Sequence, residues 1–212
     1  MNLTTTQRAA AWQVQSLLLG YPDETPLARR AVIEQAVGAL PTAVAAPLRS
    51  LLHHLDNTAS LTLATEYVDT FDHRKRFSPY LTYFLYGDTR KRGLALLRFK
   101  QTYRASGLVL DDTELPDHLA VVLEFAAAHP EAGLELLTEY RVAVELMRLG
   151  LREAGSPWAG VLESVAATLP SLPGRDRDVL ARLIAEGPPG EEVGLEPFAP
   201  PSYMPAPIGG RR

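Results

Sequence analysis

Apolar positions recur along this chain with the 3.6-residue period of amphipathic α-helices, and no stretch shows the sustained apolar–polar alternation of a strand. Ala10, Val14, Leu17, Leu18 and Tyr21 carry the first period at i, i+4, i+7, i+8 and i+11. Thr4 and Gln7 stand ahead of it at capping-box spacing, and Gly20 with Pro22 stops it. Thr25-Pro26 reads as an N-cap followed by proline at the first helical position, opening a helix lined by Ile33, Val37 and Leu40. Leu48, Leu51, Leu52 and Leu55 line a third helix, and Ala64, Tyr67, Val68 and Phe71 a fourth.

Residues 72–87 interrupt the pattern. Ser78-Pro79 breaks it, and Phe77, Tyr80, Tyr83, Phe84 and Tyr86 crowd one short stretch that fits either a short helix or an extended segment. Asp88 is placed to cap a long helix with Leu96, Phe99 and Tyr103 on its apolar face, ending at Gly107. Pro116 is expected at the start of the next helix, which carries Leu119, Val122, Leu123 and Ala126. A helix from Pro130 runs through Leu137, Val144 and Met147 to about Gly150. Ser156-Pro157 opens another with Trp158, Val161, Leu162, Val165 and Leu169, and Val179, Leu180, Leu183 and Ile184 mark the last. The pattern predicts an all-α protein: a single globular helical domain of about eight or nine helices over residues 1–187. From Gly187 to Arg212 there are seven prolines and five glycines, so residues 188–212 are expected to form a disordered tail. Phe198, Tyr203 and Met204 give that tail apolar groups with which to dock on the body or a partner.

With 46% apolar residues the chain can build a sizeable core, and without cysteine it has no disulfides and no thiolate metal sites. No apolar run reaches the roughly 18 residues that span a bilayer, and Met1–Arg8 lacks a secretory pattern, so a cytoplasmic protein is expected. Charge changes the picture more. Between Asp72 and Ser106, nine Lys and Arg face two acids, giving +7; the chain total of −4 leaves −11 for the remainder. A basic segment in an acidic chain suggests charge-guided contact, although a solvated helix face has the same pattern.

Enzymatic motifs are missing: there is no phosphate-binding glycine loop, no nucleophile elbow, and no metal-ligating histidine pair. His53 and His54 are adjacent, hence about 100° apart on a helix. Two clusters stand out. Glu114-Leu115-Pro116-Asp117-His118 reads first as an ordinary helix start, with Asp117 in the first turn facing the positive end of the macrodipole. Its functional reading is a polar mouth able to hydrogen-bond an incoming peptide. The second cluster runs from Tyr67 to Gly93, where aromatics interleave with arginines. Such a mixture suits a recognition surface, or single-stranded nucleic acid; the acidic balance of the chain argues against the latter. Most of these aromatics are expected in the core and the arginines on the surface.

At these two clusters the chain resembles the NarJ branch of the TorD/DmsD redox-enzyme maturation chaperones. "YVDTFDHRKRFSPYLTYFLYGDTRKRGLALLRF", Tyr67 to Phe99, is similar to the signature of that branch, and "ELPDHLAVVLEF", Glu114 to Phe125, to the wider family's Glu-Pro-x-Asp-His motif. "LLLGYPDE", Leu17 to Glu24, fits as well, and the likeness covers roughly residues 10–150. The resemblance implies an all-helical assembly chaperone without catalytic turnover. Its client would be the alpha subunit of nitrate reductase, bound at an N-terminal, leader-like segment while molybdopterin guanine dinucleotide is inserted into that subunit. The chaperone itself would hold no stable cofactor and no metal, and would engage neither membrane nor nucleic acid; molybdenum cofactor biosynthesis proteins are further candidate partners. Carried over residue by residue, Pro116, Asp117 and His118 would form the rim of a peptide site, joined by Tyr67, Phe71 and Asp72. Arg74, Arg76, Arg90 and Arg92 would form a basic patch for client acids or cofactor phosphates. The alternative is a helical regulatory or nucleic-acid-binding protein that uses residues 72–106.

Overall fold

The computed structural model describes residues 3–22, 29–72, 77–111 and 114–186. The expected helix start at Thr25-Pro26, the basic residues Arg74 and Arg76, and the tail 188–212 lie outside them. The described residues form eleven helices: α1 (Thr5–Leu19), α2 (Arg30–Gly38), α3 (Thr42–Asn57), α4 (Ser60–Phe71), α5 (Leu81–Tyr86), α6 (Arg90–Ala105), α7 (Leu119–Ala128), α8 (Pro130–Glu139), α9 (Arg141–Glu153), α10 (Ala159–Thr168) and α11 (Gly174–Glu186). Two exceed the expected number. Within the undecided stretch Tyr80 is extended and α5 follows it, and the helix expected over 130–150 breaks at Tyr140. Tyr140 lies outside helical geometry at the break and packs its ring 4.8 Å from Phe99.

Local signals account for several ends. Thr4 and Gln7 close the predicted capping box on α1, at 3.1 Å for each bond. Gly107, at φ +80°, ends α6. Its N–H reaches the Arg104 carbonyl, and the Leu108 N–H reaches that of Tyr103, which is the Schellman pairing. Two starts differ from expectation. Thr89, not Asp88, precedes α6, and Asp88 pairs with Arg92 instead. The helix expected from Pro116 begins only at Leu119, because the backbone at 117 and 119 is bonded to another segment of chain.

The core is built around α1, which packs along α7 on one side and against α10 on the other; α10 also lies on α3. Enclosed from two sides, α1 buries Ala11, Trp12, Val14, Gln15, Leu18 and Leu19, while Ala10 and Tyr21 of the expected stripe are exposed. Most polar groups trapped there are paired, although Gln15 Oε1 is buried with no hydrogen-bond partner among the described residues. Trp12 Nε1 donates to Thr168 Oγ1 at 3.0 Å, Gln15 Nε2 to Ser164 Oγ at 2.8 Å, and Ser16 Oγ to the Ala120 carbonyl at 2.7 Å. The α3–α10 crossing depends on one missing side chain: a Cβ at Gly160 would stand 2.4 Å from the Pro47 carbonyl oxygen. The helix of Val179, Leu180, Leu183 and Ile184 forms as expected. It packs on α9 and buries no residue fully.

Candidate functional site

The two sequence clusters meet through the backbone. Leu81 N–H donates to the Asp117 carbonyl at 3.1 Å and Leu119 N–H to the Pro79 carbonyl at 2.8 Å, making a short antiparallel bridge between Tyr80 and His118. A third element holds the far strand: Tyr103 of α6 donates its hydroxyl to the Pro116 carbonyl at 2.6 Å. The bridge forms one wall of an open groove of about 700 Å³. Tyr21, Tyr67, Phe71 and Asp72 form the opposite side, with Tyr83, Asp88, Arg92 and Glu114 along the bridge side.

The aromatic side is tied into the core. Tyr67 is buried and donates to the Leu19 carbonyl at 2.9 Å, which ties α4 to the end of α1. Its ring lies 4.7 Å from Phe71, 5.4 Å from Tyr21 and 5.7 Å from Trp158, in tilted and edge-on geometries that aromatic pairs favour. Burial first, then the charges of Asp72 and Glu114, push the Tyr67 phenol far above its ordinary value, so it remains a neutral donor.

On the other side, Tyr80 donates to Glu114 Oε1 at 3.0 Å, and the same oxygen accepts the Leu115 N–H. Desolvation, aided by that carboxylate, raises the Tyr80 phenol to about 12. His118 sits edge-on to Tyr80 and caps α7, its Nδ1 accepting from Ala120 N at 3.2 Å. Burial lowers its pKa against the opposing pull of Glu114 and Asp117, so the ring is neutral near pH 7, as an acceptor must be. The groove therefore carries three carboxylates, Asp72, Asp88 and Glu114, against one guanidinium, Arg92. It suits an apolar segment bearing positive charge.

The structure sorts the sequence candidates. Tyr67, Phe71, Asp72, His118 and Arg92 come together in the groove. Asp117 does not form a rim: it is fully enclosed, with Oδ2 accepting from the Thr82 N–H and hydroxyl at 3.0 and 2.6 Å. Pro116 is buried beside it. Arg92 does not belong to an exposed patch. It is half-buried, bonded to Asp88 at 2.6 Å, and its guanidinium lies 5.8 Å from the Tyr80 and Tyr83 ring centres. Arg90 is exposed on another face of α6, because residues two apart on a helix point about 200° apart. Tyr80, Tyr83 and Tyr86, expected in the core, are half-buried, whereas Phe77 and Phe84 are core residues. Tyr21, Tyr80, Tyr83 and Glu114 were missed as individual site residues. Each lies inside one of the three motifs that carried the resemblance.

Comparison with known proteins shows which families this chain resembles. The family model for the nitrate reductase delta subunit matches residues 38–163. The nitrate reductase molybdenum cofactor assembly chaperones NarJ of Bacillus subtilis and of Escherichia coli K12 are 35% and 30% identical over 178 and 150 residues. These cover 80% and 69% of this chain and 94% and 64% of theirs. The nitrate reductase-like protein NarX of Mycobacterium tuberculosis H37Rv is 42% identical over 158 residues, 74% of this chain but only 24% of that protein. This chain thus spans about a quarter of that relative's length. A solved structure described as a redox enzyme maturation protein from Archaeoglobus fulgidus superposes with a TM-score of 0.58 at 26% identity, covering 75% of this chain and 91% of that one.

Proposed function

The chain belongs to the nitrate reductase delta subunit family, and we propose that it is a non-catalytic assembly chaperone acting in the cytoplasm. Its client is the alpha subunit of nitrate reductase, held at its amino-terminal segment while molybdopterin guanine dinucleotide is inserted and before the enzyme attaches to the membrane. The observation that carries this reading is the groove at the Tyr80–His118 bridge. It is walled by aromatic rings, is net acidic, and has a volume of about 700 Å³. An amphipathic helix lays its apolar face on Tyr21, Tyr67, Phe71 and Tyr83, and its basic residues meet Asp72 and Glu114. Two relatives named as nitrate reductase molybdenum cofactor assembly chaperones support the choice of client. No helix among the described residues is long and apolar enough to cross a membrane.

A separate role falls to the exposed face of α6. Arg90 there, with Lys91 and Arg104, attracts acids on the client or cofactor phosphates at a distance from the peptide groove. Calorimetric titration of the full chain with a synthetic peptide of the alpha subunit's first residues tests the main reading. Saturable binding that weakens when Tyr67 is replaced by Ala is expected. Absence of binding to both the peptide and the whole alpha subunit overturns it.

A further inference from the structure

Asp117 cannot touch a bound peptide, since it has no exposed surface, yet it connects to the groove through a directional chain of hydrogen bonds. Thr82 has one hydroxyl proton, and it goes to Asp117 Oδ2 at 2.6 Å. The lone pairs of that hydroxyl then face Arg92, whose Nε donates to Thr82 Oγ1 at 3.3 Å. A carboxylate is an acceptor only, so the sense of the chain is fixed: Arg92 to Thr82 to Asp117. At its other end the guanidinium donates from Nη1 to Asp88 Oδ1 at 2.6 Å. Held at two nitrogens, Arg92 lies equally over Tyr80 and Tyr83, at 5.8 Å from each.

This cross-brace joins the three segments from which the bridge side of the groove is made: the start of α5, the turn into α6, and the loop before α7. We infer that Thr82 and Asp117 are positioning residues for client recognition, which act through Arg92 to hold the Tyr80 and Tyr83 rings at the groove wall. The inference rests on the peptide-binding reading given above and assigns it a specificity element. Arg92 neutralises Asp88, which leaves Asp72 and Glu114 as the carboxylates for a basic client residue and the aromatic rings for its apolar residues.

The test compares Thr82→Val, which keeps the shape and removes the hydroxyl, with Thr82→Ser, which restores it. The probe is the synthetic amino-terminal peptide of the alpha subunit, titrated into the full chain. Thr82→Val should weaken binding about tenfold, the equivalent of one hydrogen bond to a charged group, while Thr82→Ser stays within about twofold of the parent. Arg92→Lys retains the charge but loses Nε and the planar fork, so it should weaken binding similarly and add little when combined with Thr82→Val. Ser164→Ala, which breaks the buried contacts to Gln15 and the Val44 carbonyl away from the groove, should lower thermal stability with affinity unchanged. That control separates positioning from general loosening. Equal affinity of the parent and Thr82→Val proteins overturns the inference, as does a Thr82→Ser protein as weak as Thr82→Val. Should Thr82→Val fail to fold, Arg92→Lys decides: unchanged affinity overturns the inference, and the expected loss upholds it. If the parent itself does not bind the peptide, the peptide-binding reading falls, an outcome distinct from a parent that binds with an unaffected variant.

Discussion

Replacing Asp117 by alanine removes one buried carboxylate and strands two donors, the backbone N–H and the hydroxyl of Thr82, now bonded to it at 3.0 and 2.6 Å. A buried donor left without an acceptor costs about 1–3 kcal/mol, and bonds to a charged acceptor lie at the upper end. Against that loss stands a gain. Asp117 Oδ1 is buried with no hydrogen-bond partner among the described residues, so deleting the carboxylate also removes an unfavourable desolvation. Two stranded donors at about 2 kcal/mol each, less about 1 kcal/mol recovered, leave a destabilisation of about 3 kcal/mol. For a chain of this size each kcal/mol moves Tm by about 2–4 °C, so Asp117→Ala should melt about 6–12 °C below the parent. Asp117→Asn keeps an acceptor at the Oδ2 position and should lose only about 1 kcal/mol. Circular dichroism at 222 nm during heating measures both. Because the carboxylate supports the groove rather than lining it, stability and peptide affinity should fall together. An Asp117→Ala protein that melts within about 2 °C of the parent would refute the reasoning, since the bridge would then not depend on the carboxylate.

Gly160→Ala should destabilise by about 2–3 kcal/mol, read as a lower urea midpoint with unchanged slope, because its Cβ would meet the Pro47 carbonyl at 2.4 Å and that atom is backbone. Stability should also fall as pH drops below about 6.5. The folded state depresses the His118 pKa through burial, so the unfolded chain takes up the proton first and stability present above the unfolded pKa is lost toward the lower folded value. His118→Asn, a good N-cap, should flatten that part of a denaturation series between pH 7 and 5.5, and an unaltered slope would assign the effect to another group. Glu145 behaves alike in a more acidic window. Burial raises its pKa, but Arg148 and Arg141 overcome that, so its contribution is present above the ordinary glutamate value and fades below it. Arg90→Glu should impair nitrate reductase maturation in cells while leaving peptide affinity intact, whereas Arg92→Glu should reduce both. Equal effects on affinity would reject the separation of the two arginines.

Much of the fold was legible because helices are written in neighbours three and four residues apart. The stripes Leu48, Leu51 and Leu52, then Phe99 and Tyr103, then Leu119, Val122 and Leu123 were readable and are buried. The Thr4–Gln7 capping box and the glycine stop at 107 are local devices, and both form as the sequence indicates. The stripe on α1 was readable only in part: Val14 and Leu18 are buried, whereas Ala10 and Tyr21 are exposed and Trp12 and Gln15 are buried outside it. Two helices enclose it, and burial on two sides erases the single apolar face that periodicity detects. Arg92 held a usable signal, since it falls at i, i+3 and i+7 with Ala95 and Phe99, the buried face of α6.

The site divides along the same line. The residues of both clusters were evident in the sequence as motifs, and Tyr67, Phe71, Asp72 and His118 do meet. Only the tertiary structure decided that Asp117 supports the groove from below. Its partner Thr82 lies 35 residues away and is reached through a backbone bridge between extended segments. Local sequence fixes which dihedrals a segment prefers. It does not fix which distant N–H a carboxylate will accept, because that bond exists only once α5, α6 and α7 have packed and excluded water from the space between them.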